Sequence, residues 1–420
     1  MRAAAVTAAA LVGLPAGAQG AGMVPVQPAA SATAAAARLQ RQLTGALAKS
    51  GPQVGALVED IDSGQVLFSH DPDVARPPAS VEKLYTTVAA LNLLGPTARF
   101  PTRVLATGHM GRGGVWHGNL YLRGGGDPTF GDGGWNRTYE QGHGPTASQL
   151  AAQLEHDGIR RVTGRIFADE SLFDTERGGP LTGDLPDLPD YGGELSALVY
   201  DHGMSTAKMS PAVYAAHELA ITLRGIGMKV AAASRTEKTP PGAVLLARVE
   251  SPPLAVLVRL MDVPSDDLIA DMLAKQLGAR YMGDGTLADG AIEIRQTIGN
   301  DYALHPTLFD GSGLDRADRS SPEDVVSLLR KVWATPTGNE LYAALPIVGE
   351  QGTVQSLGID TPAAGHCVAK TGTLNGVTNL AGYCRPAGGA TLAFALMIDG
   401  PANWQSESVL SRAVAAVARY

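Results

Sequence analysis

Ser80 and Lys83 lie three residues apart at the head of an apolar run, so a helix starting there sets a hydroxyl and an amine on one face. A partly desolvated lysine sheds its proton more readily, and the neutral amine can then take the proton of a serine and make it a nucleophile. The competing reading is a helix-capping serine beside a solvated lysine. The same spacing recurs at Ser205 and Lys208, but Met209-Ser210-Pro211 follows at once and interrupts any helix carrying that pair. Further along, Lys370-Thr371-Gly372 offers an ammonium and a hydroxyl suited to a carboxylate, and a glycine that would let a substrate lie against a strand edge. The alternative there is an edge strand with a surface lysine.

The elements that must position these groups follow from periodicity and turn chemistry. Leu84, Val88, Leu91 and Leu94 recur at helical spacing behind Pro77-Pro78, and Gly95 suits the end of that helix. Residues 54–58 and 65–69 read as a hairpin around the turn cluster at 60–64. Strands are expected at 102–107, 115–123 and 161–169, with a helix at 146–157. Residues 171–210 are rich in Gly, Pro and Asp; a helix near 212–224 and strands near 229–233 and 244–249 follow. Pro252 or Pro253 begins another helix, and Ser265 the next, whose apolar face is Leu268, Ile269, Met272, Leu273 and Leu277. Helices at 288–298 and 322–333 flank a loop at 310–314. Asn375-Gly376 between two apolar runs is a strong hairpin signal, a third strand is expected at 391–398, and a closing helix at 406–419.

At 420 residues and 45% hydrophobic content the chain is long enough for several packed units. The net charge of −8, with both signs interspersed and 5% aromatic residues, argues against a nucleic-acid partner. Residues 1–18 read as a secretory signal, with Arg2, a short apolar run and Ala16-Gly17-Ala18, which places the protein outside the cytoplasm. Residues 19–36 read as a flexible leader, with the first helix beginning near Ala37. The nine histidines show no metal-ligand spacing, the two cysteines cannot make a zinc site unaided, and Gly124 to Gly126 lack the Gly-Lys-Ser/Thr of a phosphate loop. No cofactor is implied.

The order Ser80-x-x-Lys83, Ser265-Asp266-Asp267, Lys370-Thr371-Gly372 follows the motif order of penicillin-binding proteins and class A β-lactamases. From about residue 40 onward the chain resembles the D-alanyl-D-alanine carboxypeptidase/endopeptidase family, the low-molecular-mass penicillin-binding proteins with a large insert between the first two motifs. The resemblance rests on Pro78-Ala79-Ser80 with Lys83, Gly118 to Leu122 with Gly124 to Thr129, Asp169 with Ser171-Leu172-Phe173, Asp310 to Leu314, and Ala369 to Gly376. The Ser80 to Ser265 separation is far longer than in ordinary β-lactamases, which makes a β-lactamase or esterase on the same fold the runner-up.

The resemblance implies an α+β fold: a transpeptidase-like catalytic domain from residues 37–100 and 251–420, with 101–250 as inserted α+β domains. It implies that Ser80 attacks the carbonyl between two D-alanines of a peptidoglycan stem peptide, that Lys83 takes its proton, and that Ser265 helps pass it to the leaving amine. Lys370, Thr371 and Thr373 would hold the terminal carboxylate, Gly372 would keep the strand edge open, and Asp169 would recognise the amino end of the stem peptide. β-Lactams would be covalent inhibitors, and the resemblance is silent on oligomeric state.

The middle motif carries Asp267 where the family has asparagine. An amide can donate to the substrate carbonyl, whereas an ionised carboxylate only accepts and would pair with Lys83 and Lys370. That substitution brings in a second reading, a catalytically impaired protein that binds peptidoglycan. Finally, a two-residue turn at Asn375-Gly376 sets Cys367 opposite Cys384 in a non-hydrogen-bonded pair, where Cα atoms are ~4.5 Å apart and within disulfide range. A bulge that shifts the register would leave two separate buried thiols.

Overall fold

The structure is a computed structural model that describes residues 30–48, 50–51, 53–179, 192–203, 209–400 and 403–420. The signal and most of the leader lie outside the described residues, as does the Ser205-Lys208 pair. No described helix is long and apolar enough to cross a membrane.

The chain opens with helix α1 (Ala30–Leu47), strands β1 (Val54–Asp60) and β2 (Gln65–His70), and α2 (Lys83–Leu94). Then come β3 (Pro101–Ala106), β4 (His109–Met110), β5 (Val115–His117), β6 (Leu120–Arg123), α3 (Gly133–Tyr139), α4 (Ala147–His156), β7 (Arg161–Val162) and β8 (Ile166–Asp169). Helix α5 (Pro211–Gly225), β9 (Ala233–Thr236) and β10 (Val244–Glu250) complete this stretch. Five helices follow: α6 (Leu254–Asp262), α7 (Asp267–Leu277), α8 (Leu287–Tyr302), α9 (Pro322–Val332) and α10 (Pro336–Ala344). The chain closes with β11 (Cys367–Leu374), β12 (Val377–Cys384), β13 (Leu392–Asp399) and α11 (Asn403–Val417).

Strands from both ends of the sequence make one sheet in the order β11-β12-β13-β1-β2, which leaves β11 as an edge. Side chains alternate across a strand, so β1 sends Ala56 and Val58 to one face and Leu57 to the other. The first face packs on Leu39 and Leu43 of α1 and Val414 and Val417 of α11. The second faces a helical layer whose core includes Leu84 and Val88 of α2, Met261 of α6, Leu273 of α7, Ile294 of α8 and Leu329 of α9. An apolar cover on both faces is what lets β12 be buried along its whole length.

Between β3 and β10 the chain builds its own sheet, β10-β3-β6-β8-β9, with a small three-stranded companion, β4-β5-β7. Its entry and exit strands pair, with Pro101 opposite Glu250, so an insertion of this length leaves and rejoins the main body at one point. Leu150 and Leu154 of α4 and Leu219 and Leu223 of α5 fill its core.

Several expectations need correction. The first helix begins at Ala30, so residues 30–36 are not leader; the alanine-rich stretch has neither Gly nor Pro to stop helix propagation. The strand expected at 115–123 breaks at Gly118, where φ is +154° and a Cβ would lie 1.8 Å from the Thr107 carbonyl oxygen, and its halves join different sheets. The strand expected near 229–233 runs instead from Ala233 to Thr236. Ser265 does not begin its helix: it holds φ +68°, and Asp266 is the cap, accepting from the Ile269 amide at 2.8 Å. Helices α3 and α10 had no counterpart in the periodicity, being short.

β11 and β12 pair in the register set by Asn375-Gly376, with Cys367 opposite Cys384, and the two sulfurs are bonded. The cross-link ties the far end of the edge strand to its neighbour across 17 residues of chain. Alkylation of denatured, unreduced protein should therefore find no free thiol. Replacing both cysteines by serine should lower unfolding stability by about 3 kcal/mol in a denaturant titration, the loop entropy of a span this short.

Candidate active site

Ser80 sits in a 3-10 turn (Ala79–Glu82) that runs into α2; Pro78 and Glu82 hold the cap positions of the turn and the helix, and Ser80 Oγ meets Lys83 instead. The turn is entered through Ala79 at φ +46°, a backbone state that costs a non-glycine residue ~1 kcal/mol or more. Three contacts hold it there. Asn379 of β12 donates from its amide to the carbonyls of Pro77 and Pro78, both at 2.9 Å, while its own oxygen accepts from the Ile398 amide. Gly372 lies so close that a Cβ would stand 2.4 Å from the Pro78 oxygen, and at Gly313 a Cβ would stand 2.1 Å from the Ala79 oxygen. Gly372 thus admits the close approach of the Ser80 turn to the strand.

Lys83 is fully buried and its ammonium meets three acceptors: Ser80 Oγ at 3.1 Å, the Ser312 carbonyl at 2.7 Å, and the Asp267 carboxylate in a close ion pair. Three donors for three acceptors is the full complement of a charged lysine. If Lys83 loses a proton, two N–H bonds remain for Asp267 and Ser312 and the lone pair falls toward Ser80, whose hydroxyl then donates. Activation needs no movement of the chain, only the departure of that proton.

The Ser312 carbonyl is itself placed by a buried loop. Asp310 accepts from the amides of Ser312, Gly313 and Asp315, and Asp271 of α7 accepts from the Gly311 amide and the Ser312 hydroxyl. Thr86, one turn after Glu82 on α2, donates to the Gly311 carbonyl at 2.7 Å.

Lys370 on β11 donates to Ser265 Oγ at 2.7 Å and to the Thr371 carbonyl at 3.1 Å. Burial lowers its pKa to about 7, helped by the like charge of Lys83 and opposed by Asp262 and Asp267. Thr371 donates to or accepts from Thr353 at 2.7 Å. The upper part of the β11 edge is covered, since the Ala369 amide bonds the Pro346 carbonyl and the Cys367 carbonyl takes the Val348 amide. By ladder alternation the backbone groups of Thr371 and Thr373 point outward, at the open part of that edge. Beside it lies a cleft of about 390 Å³ lined by Ser80, Ser265, Asp267, Thr371, Thr373 and Asn379, among others.

Ser80, Lys83, Ser265, Asp267, Lys370, Thr371, Gly372 and Thr373 are thus brought together from three stretches of sequence. Asp169 is not among them. It ends β8 with its side chain wholly buried, accepting from the Ser171 amide at 3.0 Å and the Thr239 amide at 2.8 Å, with Arg123 alongside. Burial alone would raise its pKa, but the bonds from Thr239 and Ser171 outweigh that and hold it low. Such a carboxylate fastens two loops, and its side chain presents no surface to solvent. Motif reading missed Asn379, Thr353 and Asp262, because none belongs to a local pattern.

Behind Ser80 lies a carboxyl cluster that the sequence did not signal. Oxygens of Glu82, Asp310 and Asp318, all buried, lie within 4.8 Å of one another, a donor set of the kind a cation takes. Neither Glu82 oxygen has a donor among the described residues, because its neighbours are carboxyls. Burial pushes Glu82 far up, with Asp318 and Asp310 adding to it, and burial then Asp310 push Asp318 up to about 8. A proton shared between Glu82 and Asp318 supplies the missing donor.

A central antiparallel sheet with helices on both faces, and a Ser-x-x-Lys turn facing a Lys-Thr-Gly edge strand, defines the penicillin-binding protein and serine β-lactamase class. Within it, the profile of the D-Ala-D-Ala carboxypeptidase 3 (S13) family matches residues 35–204 and 190–420, and the chain belongs to that family. It is 27% identical over 440 residues to D-alanyl-D-alanine carboxypeptidase DacB of Haemophilus influenzae, covering 86% of this chain and 88% of that one. It is 31% identical over 405 residues to carboxypeptidase DacB of Mycolicibacterium smegmatis, covering 90% and 83%. The crystal structure of penicillin binding protein 4 (dacB) from Haemophilus influenzae superposes with a TM-score of 0.76 at 22% identity, over 90% of this chain and 99% of that one.

The carboxyl cluster gives the fold a pH dependence. A carboxyl with a pKa near 3.8 unfolded and about 8 folded holds its proton only in the native state. Its contribution is complete below the unfolded value and is lost as pH rises toward the folded one, by at most roughly 1.4 kcal/mol per unit. Melting temperature should therefore fall from pH 5 to pH 8, and Asp318→Asn should flatten that slope. An unchanged slope in calorimetry would show that the pair shares no proton.

Proposed function

We propose that the protein is a serine-type D-Ala-D-Ala carboxypeptidase with endopeptidase capacity, acting on peptidoglycan stem peptides outside the cytoplasm through an acyl-enzyme. The observation that carries this reading is the Lys83 ammonium bonded at once to Ser80, Asp267 and Ser312. Family membership and the open edge of β11 support it. We take residues 37–100 and 251–420, together with the first turns of α1 from Ala30, as the catalytic unit and 101–250 as the insert, in line with the separate sheets of the two parts.

In this reading the substrate lies along the edge of β11 with its terminal carboxylate on Lys370, Thr371 and Thr373. Ser80 Oγ attacks the carbonyl carbon between the two D-alanines while its proton passes to neutral Lys83. The backbone N–H groups of Ser80 and Thr373 take the oxyanion, each worth ~3 kcal/mol of barrier. The proton then travels by way of Ser265 to the leaving nitrogen, the C–N bond breaks and D-alanine departs. Water attacks the ester, with Lys83 again the base. A β-lactam enters the same steps but keeps its leaving group tethered. The Haemophilus influenzae penicillin binding protein 4 has been solved in complex with a β-lactam.

Asp267 slows this enzyme without silencing it. Its carboxylate is paired with the Lys83 ammonium, and it offers the substrate no donor. Ser80→Ala should abolish D-alanine release from a pentapeptide while leaving the melting temperature within a degree or two. Asp267→Asn should raise the second-order rate of acylation by a penicillin about tenfold or more at pH 7, since an added hydrogen bond and a lost counter-charge each act on the barrier by ~1 to 3 kcal/mol. An equal or slower rate would show that the site depends on the carboxylate.

A further inference from the structure

Asp262, the last residue of α6, is wholly buried, and no motif includes it. Its Oδ2 accepts from the Thr87 hydroxyl at 2.8 Å. Thr87 stands one helical turn beyond Lys83 on α2, so the carboxylate lies alongside the face of α2 that carries the lysine. The other oxygen, Oδ1, has no hydrogen-bond partner among the described residues, and the charged groups that act on it are Lys370 of β11 and then Lys83 of α2. Beyond them stand Asp267 at the start of α7, already paired with Lys83, and Asp310 of the loop after α8, which also acts on Lys83. Lys370 has hydroxyl and carbonyl oxygens as its bonding partners, Ser265 and Thr371, and no carboxylate in contact.

We propose that Asp262 is a positioning residue, the buried counter-charge to Lys370 that sets the pH at which the active site sheds the proton that keeps Ser80 from acting as a nucleophile. The inference rests on the serine-type reading above. Two ammonium groups in one buried site repel each other; Lys83 has the Asp267 carboxylate in contact and feels Asp310 as well, whereas Lys370 has no carboxylate in contact among the described residues. Asp262 supplies a negative charge without touching Ser80, substrate or either lysine, so its effect is electrostatic. Its own pKa is pushed up to about 7 by burial, with Lys370, the Thr87 bond and Lys83 opposing. Asp262 and Lys370 therefore titrate as a pair over the range in which the enzyme must pass from charged to neutral lysine. Asp262 is neutral at the acid end of that range and gains its charge as pH rises, and that charge then holds the ammonium state of Lys370 to a higher pH than it would otherwise reach.

The test is the pH profile of acylation by a fluorescent penicillin, from pH 5 to 10, for the full chain and for Asp262→Asn, which keeps the acceptor for Thr87 but not the charge. The acid limb, which reports loss of the blocking proton, should move to lower pH by about one unit, making the variant about tenfold faster on that limb, because a charge of opposite sign within reach is worth one to three units. The plateau should stay within a few-fold of the parent. Thr87→Val weakens the ionised form of Asp262 and should move the limb the same way by less, and it stands in should Asp262→Asn fail to fold. An unmoved limb, a limb displaced to higher pH, or a uniform loss of rate at every pH in the folded variant would overturn the proposal. A parent protein that is not acylated at any pH would instead overturn the serine-type reading itself.

Discussion

The Lys83 ammonium is the node on which the rest of the structure depends. Its three acceptors come from the 3-10 turn before it, from the first residue of α7 and from the loop after α8, segments separated by up to 229 residues. Burying a charged lysine without acceptors would cost several kcal/mol, so those segments cannot drift apart without exposing the penalty. The fold meets the requirement by wedging. Gly372 and Gly313 admit the backbone of the nucleophile turn from two sides, and Asn379 clamps its carbonyls from β12. The strained Ala79 persists because everything around it is fixed.

A second theme is that charge in this interior is managed by exchange of protons more than by ion pairing. Lys370 is brought near neutrality by burial and by its neighbour, and Glu82 and Asp318 lie close enough to hold a proton in common. Glu82 sits between Ser80 and Lys83 in sequence yet faces away from both, toward Asp310 and Asp318. Stability and reactivity thereby pull on pH in opposite senses. A rising pH takes the proton from Lys370 and strips the carboxyl pair of the proton that suits it to its buried surroundings.

Much of this was legible in the chain. Asn375-Gly376 fixed the register of β11 and β12, and with it the facing cysteines and the outward turn of Thr373. Spacing and motif order picked out Ser80, Lys83, Ser265 and Lys370, and the family followed. What stayed hidden depends on burial and on long-range contact, which periodicity does not encode. Asp169 carries a motif-like context but spends both oxygens on backbone amides. Asn379 and Thr353 act across the fold with no local signature. Asp262 looks like an ordinary helix end until its bond to Thr87, on the helix that carries Lys83, is seen. The entry and exit strands of the insert pair 149 residues apart, and only their three-dimensional register shows it.

The most direct measurement is a crystal structure of the protein after reaction with penicillin. The account requires an ester on Ser80 Oγ, its carbonyl oxygen within hydrogen-bond reach of the Ser80 and Thr373 amides, the drug's carboxylate on Thr371 and Thr373, and Lys83 still held by Asp267 and Ser312. An adduct on another serine, or an ester on Ser80 whose oxygen points away from the Thr373 amide, would contradict it.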